Sequence, residues 1–176
     1  MNVFILNSGR CGSSTFIKAC QHITNYTAAH ESLLSKTGAQ RLDYPDNHIE
    51  ADNRLSWFLG RLERKFHDDA YYVHLQRNTE DTVASFSKRI DFGILNAYEQ
   101  GILMHDGHLL PAHDIAADYI ETVDANIELF LKSKTNKMVV RLESVKADFT
   151  EFWHNIEADG DIDKALAEWN INYNAS

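Results

Sequence analysis

The sequence predicts an α/β fold of three layers, α/β/α, around a central parallel sheet. Three observations predict it. Residues 3–6 form a continuous apolar run that suits a strand buried on both faces, a Gly/Ser-rich turn follows at once, and the same strand-then-helix pattern returns from residue 70 onward.

After the turn, Ser13-Ser14-Thr15 can cap a helix whose apolar positions Phe16, Ile17, Ala19, Cys20 and Ile23 keep helical spacing. Residues 26–29 suit a short second strand, and residues 33–48, polar and broken by Gly38 and Pro45, read as loop. Residues 49–66 are expected to form one helix, because Leu55, Phe58, Leu59, Leu62 and Phe66 share a stripe while Arg54, Arg61 and Lys65 line another face. A strand at 70–75 then leads into a helix at 79–90 with Val83, Phe86 and Ile90 inward. Helices at 94–104 and 112–132, a buried strand at 138–142 and a helical C-terminal region complete the pattern. Trp57, Trp153 and Trp169 sit among apolar positions and are expected as core or interface anchors.

The composition bounds the function. With 176 residues, 44% hydrophobic, 8 Gly and 2 Pro, one domain over 1–176 is expected, and fibrous or disordered classes are excluded. A formal charge of -9 repels a nucleic-acid backbone, so a polyanionic ligand must be held by a local cluster of donors. Cys11 and Cys20 form no CxxC or Cys/His series, which suggests neither a disulfide framework nor structural zinc. The four-residue apolar run near the N-terminus is too short for a signal sequence or membrane span, and a cytoplasmic protein is expected.

The chemistry concentrates in Ser8-Gly9-Arg10-Cys11-Gly12-Ser13-Ser14-Thr15, where glycines, hydroxyls, successive N–H groups and a helix N-terminus converge as a phosphate or sulfate site. The GxxxxGK[ST] pattern of ATPases is absent, as is GxGxxG, so an ordinary NTP hydrolase and NAD binding are disfavoured. A second anion motif starts at Arg77, at a strand end. Asn78 and Asp81 stand as N-cap and third helical residue, and Ser85 projects from the same side to join Arg77.

Arg10-Cys11-Gly12-Ser13-Ser14 resembles the 5′-phosphosulfate loop of sulfotransferases that use 3′-phosphoadenosine 5′-phosphosulfate (PAPS). Arg77 and Ser85 are similar to that family's 3′-phosphate pair, and residues 139–145 resemble its late strand and turn. The resemblance implies a P-loop NTPase-like sulfotransferase fold, PAPS as donor with 3′-phosphoadenosine 5′-phosphate (PAP) as product, and no required metal. It implies cofactor binding by Gly9, Arg10, Cys11, Gly12, Ser13, Ser14, Thr15, Arg77 and Ser85, with Arg10 also catalytic. Arginine at position 10 matches the protein-tyrosine branch, where the cytosolic branch has lysine, and its role is then electrostatic. The basic-glycine segment that follows in the cytosolic branch has no match after Leu142.

Sulfuryl transfer to a hydroxyl or amine needs a base facing the loop. Glu31, after the second strand, is the first candidate and corresponds to a glutamate base of the protein-tyrosine branch, with His30 the second. Arg54 is a weaker candidate for contact with an anionic acceptor. His105, Asp106, His108, His113 and Asp114 make a polar cluster read as a solvated loop rather than a metal site, although one of the histidines could touch the acceptor. Cys11 would have a lowered pKa if its thiol met the helix N–H groups. A P-loop-like small-molecule kinase and a non-catalytic nucleotide-binding module stand as alternatives.

Overall fold

The computed structural model describes residues 1–91, 93–104 and 110–171. Five strands, β1 (Val3–Leu6), β2 (Thr27–His30), β3 (His48–Ala51), β4 (Tyr71–Gln76) and β5 (Lys137–Arg141), form one parallel sheet in the order β2-β3-β1-β4-β5. Helices α1 (Ser13–Cys20), α6 (Val145–Asn155) and α7 (Ile162–Ala167) cover one face. Helices α2 (Leu59–Phe66), α3 (Thr79–Ser87), α4 (Gly93–Gly101) and α5 (Ala112–Leu131) cover the other. The α/β/α expectation holds.

Strand β1 shows why. Its side chains alternate, with Val3 and Ile5 entering the core shared with Phe16, Phe149 and Phe152, and Phe4 and Leu6 entering the core shared with Tyr72, Val83 and Tyr119. All four are fully buried, so an apolar run was required on both faces.

The expected single helix at 49–66 is corrected. The segment begins as β3, turns through a 3₁₀ stretch at Asn53–Trp57, and only then forms α2. Strand β3 carries His48 and Glu50, polar yet buried, because neighbours satisfy them. Thr27 Oγ1 meets His48 Nδ1 at 2.8 Å, and His48 Nε2 meets Glu50 Oε2 at 2.9 Å. The Ser32 N–H donates to Glu50 Oε1 at 2.7 Å and the Ser32 hydroxyl to Oε2 at 2.6 Å. The presumed loop at 33–48 holds a 3₁₀ turn at Gly38–Leu42, whose Arg41 forms a buried ion pair with Asp52. The helix expected at 79–90 stops at Ser87, and Trp57, expected as an anchor, is 42% exposed.

Candidate active site

The loop after β1 stands at the carboxyl end of the central strand, where a chain that next builds β2 and β3 on one side later builds β4 and β5 on the other. Open parallel sheets bind ligands at such a switch point. A cavity of about 560 Å³ lies there, lined by Gly9, Arg10 and Gly12 through Thr15, by His30, Glu31, Asn53 and Arg54, and by Arg77, Phe86, Arg89, Leu142 and Trp169 among others.

The loop is shaped by backbone. Gly9, Arg10 and Gly12 have φ of 104°, 60° and 88°, a run of left-handed residues that turns strand into helix. A side chain at position 9 would meet Phe86 at 2.9 Å and Asn53 at 3.1 Å, and one at position 12 would meet Leu142 at 3.0 Å. Gly12 is the N-cap of α1, and no side chain caps the helix. The expected hydroxyl cap by Ser13-Ser14-Thr15 is therefore corrected: these residues belong to the first turn, and the Ser13 hydroxyl instead lies 3.0 Å from His30 Nε2. A glycine-walled helix start whose first N–H groups are left to an outside acceptor fits a phosphate or sulfate oxygen.

Arg10 Nε donates to Ser85 Oγ at 3.0 Å, and Arg77 Nη1 donates to the Arg10 carbonyl at 3.4 Å. Ser85 thus stands with Arg10, and the bond joining it to Arg77 directly is not among those formed by the described residues; its side chain also does not line the cavity. Burial, then the charges of Arg89 and Arg77, push the Arg10 pKa down. The helix carrying Ser85 starts as expected, with the Asp81 N–H donating to Asn78 Oδ1 at 3.1 Å. The Asn78 N–H donates to Glu143 Oε1 at 2.6 Å, which ties the second motif to the turn after β5.

Cys11 is turned inward. Its thiol donates to the Gly9 carbonyl at 3.0 Å, and burial pushes its pKa up to about 12, so the lowered value conditional on exposure does not arise. Cys11, expected among the cofactor-binding residues, is buried and is not part of the cavity lining.

Glu31 follows β2 with φ of 53°, its N–H donating to the Ala51 carbonyl at 3.0 Å. Arg54 Nη1 donates to Glu31 Oε1 at 3.0 Å and to Asn53 Oδ1 at 3.3 Å, while its backbone N–H is fixed by Asp52 Oδ1 at 2.8 Å. Arg54 therefore touches the candidate base itself. Glu31 and His30 both line the cavity that holds Arg10 and Arg77.

The fold as a whole has a counterpart among solved structures. The chain is similar to the sulfotransferase domain from the curacin biosynthetic pathway, with a TM-score of 0.62 and 12% sequence identity, over 93% of this chain and 75% of that chain. The chain has a sulfotransferase-like fold. No protein-family profile matches the chain, and no curated protein matches its sequence.

Within this sulfotransferase-like fold, sequence reasoning missed Asn53, Phe86, Arg89, Leu142 and Trp169 as cavity residues. Trp169 packs on Phe16 and Phe149, as an anchor would, but also faces the cavity near Gly12. Among the described residues no group of His, Cys, Asp or Glu is placed to hold a metal ion, and no helix is long and apolar enough to cross a membrane. His113 meets Asp114 at 3.3 Å on an exposed surface; His105, Asp106 and His108 lie outside the described residues.

Proposed function

We propose that the protein is a PAPS-dependent sulfotransferase acting on a hydroxyl or amine. The observation that carries this reading is the convergence, in one cavity of a sulfotransferase-like fold, of an uncapped α1 N-terminus, Arg10, Arg77 and Glu31. The bound donor supplies the sulfuryl group: its sulfur–oxygen bond to the 5′-phosphate breaks as sulfur bonds the acceptor oxygen or nitrogen, and PAP departs with the bond's electron pair.

This chain's residues then have separable tasks. The α1 N–H groups and the Ser13 to Thr15 hydroxyls hold the 5′ end, where the helix dipole favours negative charge. Arg10, a fixed cation, stabilises charge that grows on the leaving phosphate. Arg77, with Ser85 nearby through Arg10, holds the 3′-phosphate. Glu31 takes the acceptor's proton while Arg54 fixes its orientation, and His30, bonded to Ser13, is the second candidate for that proton.

The test is calorimetric titration with PAP, AMP and ATP. PAP is expected to bind at least tenfold more tightly than AMP, the worth of one charge-assisted contact, and Arg77→Ala to erase that difference. Equal affinities in the wild-type protein, or ATP outcompeting PAP, would overturn the reading and favour a kinase.

A further inference from the structure

Strand β5 closes one margin of the sheet, and one of its faces is left open. On the face that carries α5, Lys137, Val139 and Arg141 stand in register with Tyr72, His74 and Gln76 of β4. A groove of about 780 Å³ runs between this row and the last turns of α5, lined by His74, Gln76, Ala125, Leu129 and Val139 among others. Val139 is exposed there, and Leu129 is 71% exposed. The groove shares no lining residue with the candidate active site.

Hydrogen-bond partners are not what this groove lacks. His74 is buried at its floor, and both ring nitrogens are already matched, Nε2 to Asp124 Oδ1 at 3.3 Å and Nδ1 to Gln76 Nε2 at 3.2 Å. Lys137 Nζ is occupied as well, donating to the Leu131 carbonyl at 2.6 Å and the Lys132 carbonyl at 3.3 Å. What stays open is apolar surface at Ala125, Leu129 and Val139, with charges beside it.

Those charges have both signs. Ala125, Glu128, Leu129 and Lys132 share one stripe of α5, because Lys132, its C-cap, keeps helical backbone angles. Glu128 and Lys132 stand one turn apart and could bridge each other, yet among the described residues neither side chain forms an ion pair. An apolar centre with an acid on one side and a base on the other is complementary to itself under a two-fold rotation. Two α5 helices laid antiparallel about the midpoint of that turn place Glu128 beside the partner's Lys132, twice, and each Leu129 against the facing groove. Pairing through the free edge of β5 has the opposite character. A two-fold through Val139 would set Lys137 across from the partner's Arg141, like charge against like.

We propose that the groove between α5 and β5 is a docking surface for a second copy of this chain, packed by Leu129 and oriented by the pairing of Glu128 with the partner's Lys132. One patch serves both protomers, as an isologous contact requires.

Sedimentation velocity over a concentration series tests it. The wild-type protein is expected to pass from monomer to dimer as concentration rises. Leu129→Glu should weaken that association tenfold or more and leave the circular dichroism spectrum unchanged, since the side chain is exposed in the single chain. Glu128→Lys and Lys132→Glu should each weaken it, and an equimolar mixture of those two variants should associate again, each supplying the charge the other lacks. Wild-type protein that stays monomeric at every concentration overturns the proposal, as does a dimer that Leu129→Glu leaves intact. A mixture that remains monomeric overturns the pairing of Glu128 with the partner's Lys132.

Discussion

The loop's geometry makes Gly9→Ala a severe test of how the site is built. At φ of 104° an L side chain is strained by about 1–3 kcal/mol. The added Cβ would also stand 2.9 Å from Phe86 Cζ, and that ring cannot simply swing aside: it is buried and packs edge-on against Tyr119 at 5.4 Å. Tyr119 is in turn fixed by its hydroxyl, which donates to the Ser8 carbonyl at 2.7 Å. Forcing a methyl into a packed core adds about 1–3 kcal/mol, for a sum of about 2–6 kcal/mol. In a chain of this size the melting temperature should fall by roughly 5–20 °C. Gly60 supplies the contrast, because it lies in α2 with open space where a Cβ would go, and Gly60→Ala should stabilise by about 0.4–1 kcal/mol. Thermal unfolding by circular dichroism reads both. A Gly9→Ala protein melting within about a degree of wild type would refute the placement of Phe86 over the loop.

Three further outcomes follow from the site. Glu31→Gln should keep PAP affinity near wild type and lower transfer roughly 100-fold or more, measured as kcat; full activity would move the proton to His30. Arg10→Ala should cut the single-turnover rate roughly 100- to 1,000-fold, with a smaller effect on PAP affinity, because PAP lacks the sulfuryl group; an unchanged rate in saturated enzyme would make Arg10 a ground-state anchor. Raised to about 12, the Cys11 thiol holds on the order of one part in ten thousand as thiolate at pH 8, and Cys20 is likewise buried with a raised pKa. Iodoacetamide should therefore modify both cysteines in urea and neither in native protein; rapid native labelling at Cys11 would show its thiol faces solvent.

Four of the five strands were legible and β3 was not, although β5, expected as buried, is a margin strand with Val139 39% exposed. Val3 to Leu6 announces itself because both faces are buried, whereas His48-Ile49-Glu50-Ala51 hides its strand behind two polar residues that Thr27 and Ser32 satisfy from across the sheet. Missing β3 had a cost at the site. With no strand ending at Ala51, nothing marked Asn53 and Arg54 as residues at a strand's carboxyl end, though the same reasoning had picked out Glu31 after β2. Both strand-to-helix junctions were readable because each is local, a strand end with a turn and a helix start, but the partner of Ser85 was not: it meets Arg10 and not Arg77. Trp169, Leu142 and Arg89 come from distant parts of the chain, and only tertiary packing brings them to the loop.

The strand order gives the two sides of the site unequal footing. Arg10 and Arg77 follow β1 and β4, neighbours with strands on both sides, whereas Glu31 follows β2, a four-residue strand at the sheet's margin with half-exposed side chains. Little apolar burial holds β2; it is clipped to β3 at its start by Thr27 and His48 and just past its end by Ser32 and Glu50. Opening free energies track such differences, so β2 amides should exchange with solvent well before those of β1. Residues outside the cavity lining thereby govern how firmly Glu31 is presented. Changes at the His48 and Glu50 clips should loosen Glu31 while Arg10 and Arg77, rooted in the centre of the sheet, stay as they are.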